Sequence, residues 1–266
     1  MSMYSKFSKE IAAAGLPVPS DPADTIDGSR IASLPGPVQR YLRFMGIVGR
    51  KQDWSFRLAF RGRFRTAPQK PWMACQTWQY NNRLAVARIF HIRARFAGLA
   101  TVLARDTYVN GTGRMRVRLL DLITIGDGTG AEYDASELVT YLNDAVFICP
   151  AMLLVPEVRF TAVDDGSFDV ALIDHGRTVR ARVFVGPDGA PSNFSTQDRF
   201  CADPDNPKQV LSAPWTTPVT GWQTIGGRSL PTRGEAIWHL ESGPFTYADF
   251  SLVPESLIFN VPPVGS

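Results

Sequence analysis

The sequence predicts a mainly β, α+β protein. It is read as a single antiparallel meander curled into an open or closed barrel, with a short N-terminal helix and a central helical insert at about 135–154 packed on or in the barrel. Three observations carry that prediction. Apolar and polar residues alternate with a period of two over many short stretches. Turn dipeptides separate those stretches: Asn110-Gly111, Asp165-Gly166, His175-Gly176 and Asp188-Gly189. One segment, DASELVTYLNDAVFICPAMLL from Asp134 to Leu154, breaks the alternation and shows helical spacing instead.

In chain order, residues 1–33 read as a polar, loosely held arm containing a short helix at Ser5–Ala14, and residues 34–260 as one barrel-like domain with a tail at 261–266. Pro37 suits a first helical position and Gly46 a stop, so Pro37–Met45 is a second short helix. Its buried face is Val38, Tyr41, Leu42 and Met45. From Asp53, Phe56, Leu58, Phe60 and Phe64 alternate with Arg57, Ala59, Arg61, Arg63 and Arg65, giving a strand with one apolar and one cationic face. Strands follow at Trp72–Tyr80, Leu84–Arg95, Leu99–Val109 and Arg114–Ile125, the last two joined by the tight Asn110-Gly111 turn. The Gly126–Gly130 loop superficially resembles a phosphate-binding turn. Its surroundings are hairpins rather than a parallel βαβ unit, so its glycines are read as turn residues.

In the central segment, Asp134 and Glu137 form a capping box, and Leu138, Leu142, Ala145 and Cys149 form the apolar stripe. Pro150 stops the helix, and a second short turn runs from Ala151 to Leu154. After it, strands are predicted at Glu157–Val163, Phe168–Ile173, Thr178–Val185, Ser192–Cys201, Trp215–Ile225, Pro231–Leu240 and Phe245–Phe259, with a loop at Asp203–Lys208 and a bend at Pro254.

Composition narrows the function classes. At 266 residues, with 44% hydrophobic and 20% charged residues, the chain can bury a core without disulfides or metals. A net charge of +3, mostly arginine spread along strands, falls short of a nucleic-acid-binding patch. Cys75, Cys149 and Cys201 have no metal-like spacing. The N-terminus lacks an apolar signal core and no stretch is long and apolar enough for a membrane helix, so a cytoplasmic protein with free thiols is expected, without nucleic-acid or membrane partners. The histidines His91, His175 and His239 fall on different elements, so no metal site is expected. No hydrolase elbow, zincin helix or P-loop is present, and no cofactor is expected.

Candidate site residues centre on Asp144. It stands about 200° around an ideal helix from Leu142, yet Val139, Val146 and Phe147 make that side apolar too. An acid there must be hydrogen-bonded, ion-paired or protonated. In a catalytic reading Asp144 exchanges a proton, His239 or Tyr141 partners it, and an arginine holds a substrate carboxylate or phenolate. Asn143, Glu235, Trp238, Asp106, Tyr108 and Trp78 are the candidate binding residues. On the strand at 231–240, Glu235, Ile237 and His239 share one face, and Ala236, Trp238 and Leu240 the other. For each polar candidate the plain alternative is a solvated sheet face or a structural ion pair.

Several stretches, LPGPVQRYLRFMGIVG, WMACQTWQY, DTYVNGTGRMRVRLL, YLNDAVFICPAMLL, PWTTPVTGWQTIGG and LPTRGEAIWHLESGPFTYADF, occur in that order between Leu34 and Phe259. Together they resemble a widespread bacterial family known only as a domain of unknown function, which carries Asn-Asp at the place of Asn143-Asp144, and Glu235 ahead of a Trp-His pair at Trp238-His239. The resemblance implies a curled antiparallel sheet similar to lipoprotein-carrier folds, and no activity. Three readings from different classes remain, one of them a structural or partner-binding domain whose barrel is filled by its own side chains; the other two are functions of a cavity. The first is a cofactor-independent lyase, isomerase or decarboxylase acting on a small apolar or aromatic molecule in a barrel cavity. The alternative is a non-catalytic cytoplasmic binding protein for an apolar ligand such as a fatty acid or isoprenoid.

Overall fold

Strand pairing turns the predicted meander into one long curled sheet with a helix in its concave side. The computed structural model describes residues 3–21, 23–96, 100–202 and 210–263. The predicted loop Asp203–Lys208 lies outside these, as do Leu99 and the end of the predicted tail.

The N-terminal segment is α1 (Met3–Ala13), β1 (Thr25–Ile26), α2 (Gly28–Ala32) and α3 (Gly36–Phe44), followed by β2 (Arg50–Lys51). The first meander is β3 (Ser55–Phe64), β4 (Met73–Asn82), β5 (Ala87–Phe96), β6 (Ala100–Val109), β7 (Thr112–Leu119) and β8 (Ile123–Thr129). Helix α4 (Ala131–Ile148) and a 3-10 turn at Pro150–Leu153 lead to the second series. That series is β9 (Val158–Asp164), β10 (Ser167–Asp174), β11 (Arg177–Val185), β12 (Pro191–Thr196), β13 (Phe200–Ala202), β14 (Val210–Ser212), β15 (Trp215–Thr216), β16 (Val219–Ile225), β17 (Arg228–Leu240), β18 (Gly243–Leu252) and β19 (Ile258–Phe259).

All pairings are antiparallel. The main sheet runs β8-β7-β6-β5-β4-β3-β18-β17-β15-β12-β11-β10-β9, with β16 added on β17 and β19 on β3. It is open: β8 and β9 are its two edges. The chain leaves one edge at β8, passes through α4, and re-enters at the other edge as β9. Helix α4 touches β5, β6, β7 and β8 on one side and β11, β12, β13 and β17 on the other. It therefore stands where closure of the barrel would bring the two edges together.

The halves meet at the β3–β18 seam, where Gly62 pairs with Phe250. A Cβ on Gly62 would stand 2.0 Å from the Asp249 backbone oxygen, so only glycine allows this approach. The alternation read in β3 sets its inner face. Phe56 and Leu58 are buried against the helix, while Arg57 pairs in register with Tyr80 of β4. The predicted stripe of α4 is the core contact: Leu138, Leu142, Ala145 and Cys149 are all buried. So are Val38, Tyr41, Leu42 and Met45 of the α3 segment, and the Tyr41 hydroxyl donates to the Val146 carbonyl at 2.7 Å, tying α3 to α4.

Several expectations are corrected. The N-terminal segment is not a loose arm: Phe7 and Ile11 of α1 are buried on the outer face of β4 and β5 with Tyr80 and Ile89. The predicted strand Arg114–Ile125 is two strands, because Leu120 and Asp121 take left-handed φ of 52° and 60° and turn the chain. Trp215–Ile225 is also two strands, parted where Pro218 cannot donate into a ladder. Helix α4 starts at Ala131, earlier than Asp134, and no capping box forms. Asp134 instead accepts from the Gly113 backbone N–H at 2.7 Å and from Arg177 at 2.9 Å. Most of the Gly126–Gly130 stretch belongs to β8. Among the described residues, no helix is long and apolar enough to cross a membrane.

Candidate functional site

Helix α4 fills only part of the concave side. Beside it lies a cavity of about 670 Å³, walled by inner-face residues of β3 to β7, β17 and β18. Phe60, Phe64, Phe90, Ile92, Val102 and Phe250 give it an apolar surface. These positions alternate along their strands, so the cavity wall is the same face that packs on the helix further along. On α4 the lining residues include Ser136, Thr140, Asn143, Asp144 and Phe147, a helical stripe distinct from the core stripe.

The helix wall is polar and internally paired. Asp144 Oδ2 accepts from Arg88 Nε at 2.7 Å and from Asn81 Nδ2 at 3.3 Å. Arg88, on β5, also donates from Nη1 to Glu137 Oε2 at 3.0 Å. The Arg88 and Glu137 side chains are only 5% and 4% exposed, so this cluster has lost nearly all its water. Burial raises Asp144 above the usual carboxylate range, with Arg88 opposing. Glu137 is pushed up to about 8 by burial and by the neighbouring Asp106, against the pull of Arg88 and Arg199. Asp106, on β6, is raised by burial as well, and its Oδ1 is buried with no hydrogen-bond partner among the described residues.

Arg65, Lys70 and Arg233 also line the cavity, as does Arg199 beside α4. Arg199 precedes β13, and its guanidinium carbon lies 4.4 Å from the Trp215 ring centre and 5.1 Å from that of Trp238. It donates from Nε to Thr140 Oγ1 at 3.3 Å and from Nη1 to the Tyr247 hydroxyl at 3.0 Å. Trp215 Nε1 also donates to that hydroxyl at 3.2 Å, which fixes the indole against the guanidinium. Asn143 donates to Thr217 Oγ1 at 2.6 Å.

The structure thus brings five of the sequence candidates to one cavity: Asp144, Asn143, Asp106, Trp238 and Glu235. Glu235 is at its half-exposed margin, 3.6 Å from Arg233. Four candidates lie elsewhere. Tyr141 packs in the core on another side of α4. Tyr108 shares a strand face with Asp106 but lies two residues further along, in the main core with α4, and its hydroxyl donates to Asp174 Oδ2 at 2.6 Å. Trp78 is on the outer face of β4, in the cluster beneath α1, with Arg93 over its ring. His239 is exposed on the outer face of β17, its Nε2 2.9 Å from Thr216 Oγ1. The Asp144–His239 and Asp144–Tyr141 acid–base pairs therefore do not form across the cavity.

Arg88, Glu137, Arg199 and Asn81 were not singled out by sequence reasoning. Arg88 left a readable signal, an arginine in step with Phe90, Ile92 and Ala94 on an apolar strand face. Glu137 left one too, seven residues before Asp144 and so on the same side of a helix. Arg199, in an irregular segment, left none. His91 is buried under α1, its Nε2 2.5 Å from Glu10, and no group of three or more His, Cys, Asp or Glu among the described residues is placed to hold a metal.

Comparison with known proteins gives weak structural likenesses and one family. A LolA superfamily protein from Nitrosomonas europaea aligns over 81% of this chain and 90% of its own, at 12% identity and a TM-score of 0.36. A putative outer membrane lipoprotein-sorting protein domain from Vibrio parahaemolyticus aligns over 77% and 85%, at 7% identity and a TM-score of 0.39. A β-barrel-like protein of the domain of unknown function DUF1849 from Brucella abortus aligns over 78% and 98%, at 10% identity and a TM-score of 0.31. No curated protein matches the sequence. The model of one family covers residues 24–250, and the chain belongs to it: DUF6544, a family of unknown function.

Proposed function

We propose that the protein binds a small apolar molecule in the cavity between α4 and the sheet. The observation that carries this is the cavity itself: about 670 Å³, with a mostly apolar exposed wall of aromatic and aliphatic side chains into which polar groups of α4 and several strands are set. That volume is within the roughly 300–1,000 Å³ of small-molecule sites, and the mix of apolar wall and inset polar groups matches them. A packed core would not leave such a space, since each unfilled volume costs dispersion contacts. The test is native mass spectrometry of the purified chain, followed by denaturation and identification of released molecules, with titration of a neutral apolar fluorophore. Binding of the fluorophore, blocked by Ala104→Trp on the cavity wall, supports the proposal. No released compound and no fluorophore binding would refute it.

Acid–base catalysis on a bound compound is the second reading, and one observation favours it: the buried, unpartnered Oδ1 of Asp106 on the cavity wall. Asp144 is a poorer base, because Arg88 and Asn81 hold it. If a released compound is converted by the wild type and not by Asp106→Asn, the protein is an enzyme; equal and intact recovery from both leaves binding alone.

A further inference from the structure

Arg65, Lys70, Arg88, Arg199 and Arg233 line the cavity, and the two that bond to residues of α4, Arg88 and Arg199, are held differently. Arg88 touches two carboxylates, Glu137 and Asp144. Arg199 makes no ion pair with any described residue. Its contacts are two hydroxyls and two indole faces, all neutral. Such partners fix where a guanidinium points without cancelling its charge. Among the described residues Nη2 of Arg199 has no hydrogen-bond partner, so one edge of the planar fork is left for an acceptor.

We propose that Arg199 binds the carboxylate of a long-chain monocarboxylic acid whose apolar tail occupies the cavity. This rests on the reading that the cavity holds an apolar ligand, and it names that ligand's head group. A carboxylate matches the guanidinium fork, and Arg199 is the lining cation that bonds to α4 through a hydroxyl rather than an acid. A doubly charged phosphate fits less well, because Asp106, Glu137 and Asp144 line or adjoin the same wall and Arg88 is already engaged. Burial favours the protonated forms of Asp106 and Glu137, which lessens their competition for Arg199. The tail would run along Phe90, Ile92, Val102 and Phe250.

The experiment is displacement of a neutral apolar fluorophore from the full chain, near neutral pH, by hexadecanoate and by hexadecanol, which share a tail and differ in head group. Hexadecanoate is expected to displace the fluorophore at a concentration roughly tenfold or more below that of the alcohol, the size of a charge-assisted hydrogen-bonded contact. In Arg199→Met, which keeps an apolar stem between the indoles, hexadecanoate falls to the level of the alcohol. In Arg199→Lys, part of the preference remains. Equal displacement by the two compounds in the wild type overturns the proposal, and so does an unchanged preference in a folded Arg199→Met. Thermal unfolding reports whether the variants fold; if they do not, the wild-type comparison decides alone. Failure of the fluorophore to bind the wild type overturns the cavity reading and this inference with it, whereas binding without head-group preference overturns this inference only.

Discussion

Replacing Glu137 by glutamine should flatten the pH dependence of stability. The Glu137 side chain is 4% exposed, and burial lifts it from an ordinary 4.5 to about 8. A carboxyl raised on folding binds its proton more tightly in the folded state. Its contribution to stability is therefore complete below the unfolded value and is lost as pH rises through the folded one. Between about pH 4.5 and 8 the folded chain carries close to one proton more than the unfolded chain at this position. Stability then falls with rising pH by up to about 1.4 kcal/mol per pH unit, or about 5 kcal/mol across the window as a ceiling. Asp106 and Asp144 titrate in the same cluster, so the loss belongs to the group and the share removed by one substitution is smaller.

Glutamine keeps the oxygen that accepts from Arg88 at 3.0 Å and has nothing to ionise. The contact between Arg88 and Glu137 survives protonation for the same reason: a neutral carboxyl still offers a carbonyl acceptor. Urea unfolding of both proteins at about pH 5 and about pH 9 is the assay. Near pH 5 the two are expected to be about equally stable. Near pH 9 the glutamine variant should be more stable by about 2 kcal/mol or more. Parallel stability curves across that range would show that Glu137 is ionised throughout, and the account of a desolvated cluster would be refuted.

Three other perturbations test separate parts of the structure. Arg88→Met strands Asp144 without its cation and removes the donor to Glu137, and should destabilise by about 3–5 kcal/mol near neutral pH, and less in acid, by urea unfolding. Phe7→Ala removes a fully buried ring from beneath α1 and should cost about 3 kcal/mol, with early amide exchange in α1; no change would mean that the N-terminal helix is not docked. Gly62→Ala puts a methyl group 2.0 Å from the Asp249 backbone oxygen and should cost about 1–3 kcal/mol, read by faster amide exchange across the β3–β18 seam.

Much of the fold was legible because strand alternation and helical spacing are local signals. The inner face of β3, the buried face of α3 and the core stripe of α4 all follow from period alone. Sheet parity at the site was harder. Trp78 and Gln79 are adjacent in sequence, but only Gln79 faces the cavity, and nothing near them says which face the sheet curls toward. Glu137 was misplaced for a specific reason: DASE satisfies a capping pattern, and the tertiary partners Gly113 and Arg177 for Asp134 and Arg88 for Glu137 outcompete it. Arg199 was illegible because its role depends on Thr140, Tyr247, Trp215 and Trp238, brought from distant positions in the chain.

The polar pair Asn143-Asp144 inside an apolar helix finds its explanation in the topology. An open sheet with edges at β8 and β9 needs something between those edges, and the chain supplies α4 as the link between them. A helix serving as a plug must be apolar around most of its circumference, as α4 is from Leu138 to Ile148. It spans the concave side incompletely, so one stripe fronts the cavity instead of a wall. Along β6 the same face carries Tyr108, packed in the core with the helix, and then Asp106, at the cavity. Arg88 stands next to Phe90 in the same way on β5. The polar cluster thus marks the line where helix packing gives way to open space. Glu137, Asp144 and Arg88 satisfy one another there at the cost of their water, whereas Arg199 acts on the same acids through its field and makes no ion pair with any described residue. If Arg199 holds a ligand's head group as proposed, structural pairing and ligand contact are divided between two arginines, and substitutions at Arg88 should register in stability and those at Arg199 in head-group preference.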